Sequence, residues 1–303
     1  MKNKSIVIAI VAVIAALGAG YFLFKSGSSG GRDLSEFVPE NSLVVIKMNV
    51  ASMAQKMDLK EVSEMKFFKK EILKKWNSSK RELFEEIVKD PTQSGIAFQS
   101  APIIFTFNNN SEGDELVGAM VFGISNDKKF GNFIESVGSK LRIKDPDDRG
   151  FYTVTSNDDE DKVKLYYNNN VALFLADVNN KDINLKSVRD KLYDQKREKS
   201  ILANKDYSSM NAQNNDVMLF YNREKFEDLL ESSDRANRLF GSRITRSARQ
   251  ILNSMPNGLS LNFGEDIITL KTFNSEGNTK ALPFLKSDGL QEGHLSHLAA
   301  GRS

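Results

Sequence analysis

Apolar and polar positions divide this chain into one unbroken apolar run, several alternating stretches and several with a three-to-four spacing. Ser5 to Phe24 carries no charge. As a helix rising about 1.5 Å per residue, a run of that length crosses the roughly 30 Å hydrocarbon layer of a bilayer. Leu43 to Val50 is apolar and β-branched, so it predicts a strand, with a short helix over Ala51 to Met57. Met65, Phe68, Ile72 and Trp76 share one face of a helix from Ser63 to Trp76, and Leu83, Phe84, Ile87 and Val88 stripe another over Ser79 to Val88. Strands are predicted next over Gly95 to Gln99, Ile103 to Asn108 and Leu116 to Ser125, with a helix over Lys128 to Leu141. Three further strands, Phe151 to Ser156, Val163 to Tyr167 and Val171 to Ala176, close this part, with Asn168 to Asn170 and Asp158 to Asp161 at hairpin turns.

After a charged helical stretch over Leu185 to Leu202, the pattern starts again. Asp216 to Asn222 and then Glu224 to Leu230 repeat the strand-to-helix passage of Ser42 to Met57. Gly95-Ile96-Ala97-Phe98 is echoed by Gly258-Leu259-Ser260-Leu261. The Ile103-Ile104 pair followed by Ser111-Glu112-Gly113 returns, at the same separation, as Ile267-Ile268 followed by Ser275-Glu276-Gly277. A repeated order of strand, helix and hairpin reads as a duplicated unit. The fold class expected is therefore α+β: two related units of mainly antiparallel sheet with packed helices, plus one N-terminal transmembrane helix. The segments are 1–24 for the span, 25–36 for a Gly/Ser-rich linker, 37–180 for the first unit, 181–281 for a second, incomplete unit, and 282–303 for a tail without a counterpart.

The N-terminal run has two readings. Ala16 to Gly20 offers the small residues of a signal cleavage site. Tyr21 to Phe24 carry the run to full spanning length and set aromatic residues at the far interface, which favours a retained signal anchor. Lys2 and Lys4 precede the span while Lys25 and Arg32 follow it, so the positive-inside bias is small, and the short N-terminus is expected in the cytoplasm with the soluble part on the periplasmic side. The absence of Cys removes lipid attachment through an N-terminal Cys, disulfides and thiolate chemistry. With 42 Lys and Arg against 40 Asp and Glu, the net charge of +2 gives no global pull towards nucleic acid.

At Phe37-Val38-Pro39-Glu40-Asn41-Ser42-Leu43-Val44-Val45-Ile46-Lys47-Met48-Asn49-Val50, followed by a short helix and a Lys-rich amphipathic one, the chain resembles the start of a bacterial family catalogued as domain of unknown function 4836. The Asp90-Pro91 to Gly95 segment is similar to the same pattern. The resemblance covers about Phe37 to Asn278, carries no catalytic signature, and implies an envelope protein of unassigned activity, in a family whose members are usually longer.

Candidate chemistry is sparse. Asp145-Pro146-Asp147-Asp148-Arg149-Gly150 looks like the start of a calcium loop, with Gly150 at position six, but Arg149 stands at a ligand position and Ser156 replaces the final Glu, so no metal is expected. Ser63-Glu64-Met65-Lys66 has the S-x-x-K spacing without the companion motifs of the penicillin-recognising enzymes. Both His lie in the C-terminal tail, so the usual general base is missing from either unit. The strongest local pattern is Asp234 to Leu252, where a continuous helix sets Arg235, Arg238, Arg243, Arg246 and Arg249 on one side and Phe240, Ile244, Ala248 and Ile251 on the other. Arg forks suit phosphate and carboxylate. The same pattern also fits an ordinary solvated face over a buried stripe. The expectation is a membrane-anchored extracytoplasmic scaffold, binding or adaptor protein, not an enzyme, without cofactor. Its partners would be the membrane through residues 5–24 and an envelope protein or anionic surface, not nucleic acid. The alternative is a membrane-anchored, carboxylate-dependent hydrolase.

Overall fold

The computed structural model describes residues 33–56, 90–110, 114–137, 141–156, 162–231, 257–264, 267–273 and 279–285. The apolar run 5–24, the predicted helices 63–76, 79–88 and 234–252, the acidic turn at 158–161 and both Ser-Glu-Gly turns lie outside them. No helix among the described residues is long and apolar enough to cross a membrane.

Eleven described strands form one sheet. In chain order they are β1 (Ser42–Met48), β2 (Ile103–Asn108), β3 (Leu116–Gly123), β4 (Leu141–Lys144), β5 (Tyr152–Ser156), β6 (Val163–Tyr167), β7 (Val171–Asp177), β8 (Val217–Tyr221), β9 (Gly258–Phe263), β10 (Ile267–Phe273) and β11 (Thr279–Leu285). Across the sheet the order is β11-β10-β9-β8-β1-β2-β3-β7-β6-β5-β4, and every pair of neighbours is antiparallel. The strand β11 runs across residue 281, where the sequence pattern closes the second unit.

The described α-helices are α1 (Val50–Lys56), α2 (Asp127–Val137), α3 (Leu185–Tyr193), α4 (Lys205–Asn211) and α5 (Arg223–Glu231). Strand alternation gives the sheet two apolar faces. On one, Val45, Ile103, Phe105, Phe107, Val117, Ala119, Val121, Leu173, Leu175, Met218 and Phe220 are buried with Val188 and Leu192 of α3, Tyr207 and Met210 of α4, and Leu34 and Phe37 of a 3-10 turn over Leu34–Phe37. On the other, Met120, Phe122, Val154, Tyr167 and Ala172 pack with Phe130, Phe133 and Ile134 of α2. Phe130 stands edge-on to Phe122 at 5.7 Å and to Tyr167 at 4.9 Å between ring centres.

The two predicted units are joined edge to edge through β1 and β8, with Val44 opposite Tyr221 and Met48 opposite Val217. An approximate two-fold relates their strand-to-helix passages. The Asn49 N–H donates to Asp216 O at 2.7 Å, and the Asn222 N–H donates to Leu43 O at 2.9 Å. Beyond this pair the halves differ. β2 lies directly beside β1, whereas β9 stands between β8 and β10.

Three expectations are corrected. Gly95 to Gln99 is not a strand: a 3-10 turn over Pro91–Ser94 ends at Gly95 in the left-handed region, φ 70°, and only Ile96 bridges to Ile124. The helix predicted over Lys128 to Leu141 ends at Val137, and Leu141–Lys144 is the edge strand β4. The helix predicted over Leu185 to Leu202 ends at Tyr193 and is followed by two 3-10 turns, Arg197–Lys199 and Ile201–Ala203.

Candidate functional site

The densest polar constellation among the described residues is built on the loop between β4 and β5. Asp147 turns the loop on itself: its Oδ1 accepts from the Arg149 and Phe151 N–H groups, both at 3.1 Å, while Gly150 takes φ 77° and donates its N–H to Asp147 O at 2.8 Å. The other carboxylate oxygen faces α3. There Arg189 is wholly buried, its Nη1 donating to Asp147 Oδ2 at 2.6 Å and its Nε and Nη2 to Asp190 Oδ1 at 2.9 and 2.5 Å. The guanidinium lies 4.6 Å from the Phe151 ring centre and 5.0 Å from that of Tyr166, so its faces meet aromatic rings while its edges meet carboxylates.

Arg149 clamps the outside of this knot, donating to Asp190 Oδ1 at 3.1 Å and to Asp194 Oδ2 at 2.6 Å. Lys186 comes within 3.7 Å of Asp147. Arg149, Lys186 and Arg189 thus balance Asp147, Asp190 and Asp194. Partial burial works to raise the Asp147 carboxyl, but the hydrogen bonds from Arg189, Phe151 N and Arg149 N outweigh it and hold the group below its ordinary value. Burial pushes the Tyr166 hydroxyl up to about 12, against the pull of Arg189. The calcium-like run therefore serves a buried arginine, and no cluster of His, Cys, Asp or Glu among the described residues could hold a metal ion.

A second polar centre sits where the two halves of the sheet meet. Asp216, wholly buried just before β8, takes the Lys56 ammonium on both oxygens at 2.9 Å and the Phe263 N–H at 2.7 Å. Amide pairs surround it: Asn262 to Asn215 at 3.0 Å and Asn49 to Asn214 at 3.2 Å. Lys47 points from β1 towards the end of α4, donating to Asn211 Oδ1 at 2.8 Å, and burial lowers its ammonium against the opposing charge of Asp33.

Arg235, Arg238, Arg243, Arg246 and Arg249, the arginines of the predicted basic helix, lie outside the described residues, as does the Ser63 to Lys66 spacing. Neither Asp216 nor Arg189 is marked by a sequence motif. Arg189 reads as one more charge of a polar helix, and its Asp147 partner lies 42 residues away.

The described fold is thus a mainly antiparallel sheet with few helices, cross-braced by neutralised ionic knots. Residues 35–291 match the family described as Domain of unknown function (DUF4836), and the chain belongs to that family. Among solved structures it is similar to crystal form IV of TP0453, with 10% identity and a TM-score of 0.44 over 91% of this chain and 100% of that one. It is also similar to crystal form I of TP0453, with 9% identity and a TM-score of 0.39 over 89% of this chain and 85% of that one. No curated protein matches it.

Proposed function

We propose that this chain is a membrane-anchored, extracytoplasmic scaffold or adaptor. Residues 5–24 are its retained signal anchor, its N-terminus is cytoplasmic and its folded part lies on the periplasmic side. The two halves of the sheet are copies of one ancestral unit, a reading supported by the equivalent passages at Asn49 and Asn222. The observation that carries the functional reading is the use of the charged groups. The six charges of the Arg189 knot, three of each sign, neutralise one another and Asp216 is taken by Lys56, an arrangement that braces a surface. The face made by Arg235, Arg238, Arg243, Arg246 and Arg249 is the proposed contact for an anionic surface or acidic envelope partner.

Two measurements on the full chain test this. Carbonate-washed membranes should retain the protein with Met1 intact, and externally added protease should reach the folded part only after the outer barrier is opened. Replacing Arg243, Arg246 and Arg249 with Gln should weaken salt-sensitive binding to acidic liposomes while leaving the unfolding midpoint unchanged. Recovery of a soluble chain starting near Gly20 would refute the anchor. Hydrolytic turnover abolished by replacing a single carboxylate would overturn the scaffold reading.

A further inference from the structure

We infer that Asn257-Gly258, at the entry to β9, is a site of spontaneous deamidation that reacts only when β9 leaves the sheet, and that Asp206 then bars the altered strand from returning. The site is independent of the anchor and of the Arg face proposed above. Asn257-Gly258 is the one Asn-Gly dipeptide in the chain. Deamidation begins when the backbone nitrogen of the following residue attacks the Asn Cγ. Glycine makes the best successor, because it turns freely and has no side chain to obstruct the closing ring. Packing keeps glycine here: a Cβ on Gly258 would run into the end of Met210, itself 1% exposed, and come within 3.0 Å of the Leu219 carbonyl oxygen. The reactive dipeptide is therefore a consequence of close packing between α4, β8 and β9.

Every group that would react is held in the folded protein. Asn257 is 8% exposed. Its Nδ2, the leaving group, donates to Asp206 Oδ2 at 2.9 Å, in the first turn of α4. Its carbonyl oxygen accepts the Tyr221 N–H at 2.9 Å. Strand alternation turns the next residue's backbone groups to the other side, where Gly258 stands opposite Phe273 of β10. The attacking nitrogen thus belongs to the β9–β10 ladder. Asp206 adds a second restraint, since a carboxylate that accepts from Nδ2 supplies no proton to a departing amine.

Once β9 opens, the Gly258 nitrogen bonds to Cγ of Asn257 and the Cγ–Nδ2 bond breaks. The proton lost from the Gly258 N–H leaves with the amine as ammonia. Water then adds to either carbonyl of the succinimide and reopens it, giving aspartate or isoaspartate. Aspartate sets a carboxylate against the Asp206 carboxylate where a donor stood, and like charges so placed at a buried position resist joint ionisation. Isoaspartate adds a methylene to the main chain and converts the carbonyl that met the Tyr221 N–H into a free carboxylate, which displaces the register of β9. Both products lack the donor that met Asp206, so the strand that opened does not close as before.

The test keeps the full chain in native buffer or in urea at mildly alkaline pH and follows the peptide spanning Asn257 by mass spectrometry, for loss of the amide and for isoaspartate. Conversion should be at least about tenfold slower in native buffer than in urea, because it waits on local opening. Asp206→Ala should raise the native rate several-fold and leave the rate in urea unchanged. Asn257→Asp, which mimics one product, should lower the unfolding midpoint. Adding Asp206→Asn to it should restore the midpoint, by setting an amide opposite a carboxylate again. Equal rates in native buffer and in urea, or no conversion in either, overturn the site. A native rate indifferent to Asp206→Ala, or a midpoint that Asp206→Asn does not restore, overturns the role of Asp206.

Discussion

Arg189 shows how little a residue's chemical type says about its role. A cation in a polar helix is normally solvated, yet this one is wholly buried between Phe151 and Tyr166, so its two carboxylate partners are not interchangeable with surface acids. Asp147→Ala leaves the buried guanidinium short of a partner and unties the loop, and should cost about 3 kcal/mol in urea unfolding. Arg149→Ala removes only exposed pairs and should cost less than about 1 kcal/mol. The pH dependence follows from the direction of the Asp147 shift. Its folded carboxyl lies below the ordinary 3.8, so its contribution is complete above that value and is lost as pH falls through the lower, folded one. The stability gap between the parent and Asp147→Asn should therefore hold constant from pH 7 to 5 and narrow towards pH 3. Gly95 poses a different constraint. At φ 70°, a Cβ would lie 2.3 Å from Asn126 O and 2.5 Å from Phe130 N, both backbone atoms, so Gly95→Ala should cost more than about 2 kcal/mol by the same measurement.

Each of the five described α-helices opens in the same way. Asn49, Asn126, Asn184, Asn204 and Asn222 each accept, on Oδ1, the N–H of the residue three positions on: Ser52, Lys129, Ser187, Tyr207 and Lys225. That bond satisfies one of the orphan donors of the first turn. Asn184→Ala and Asn204→Ala should each lower stability by about 1 kcal/mol, while Asn→Asp at either position should be nearly neutral, as read by thermal unfolding. The same caps stand in the sequence as the local signal for α4, whose seven residues bury only Tyr207 and Met210 and so show no apolar stripe. Strands whose alternation is apolar, such as β1, β2, β3, β7 and β8, were legible within a few residues. β4 was not, because Arg142 and Lys144 interleave Leu141 and Ile143 directly after a helix, which reads as the helix continuing. Gly95 to Phe98 misled in the other direction: its residues suit a strand, but the left-handed turn at Gly95 takes the chain out of the sheet. The polar centres escaped because each joins groups far apart in the chain, Asp147 with Arg189 and Lys56 with Asp216.

At the scale of the whole molecule, the repeat in the sequence does not divide the sheet. β1 and β8 make a full ladder, and Asp216 ties the end of α1 to β9 across that junction. Asp216→Asn removes the pair with Lys56, whose side chain is 37% exposed and stays solvated, and should cost about 1–2 kcal/mol. In urea, circular dichroism and tyrosine fluorescence should still report one shared transition, since both halves are built on the same ladders. Two separated transitions in the parent protein would show that the halves fold independently.

The position of β1 also sets a schedule for synthesis. It is the first of the described strands to emerge, yet it ends in the interior of the sheet, with β2 on one side and β8 on the other. Val217 follows Val44 by 173 residues. At ribosomal speeds of about 5–20 residues per second, the β8-facing edge of β1 stays open for roughly 10–35 s. Throughout that interval the emerging chain presents an unpaired apolar edge to any neighbouring chain. Nascent chains arrested before residue 217 should therefore be retained by chaperones or aggregate, whereas chains arrested beyond β9 should resist protease.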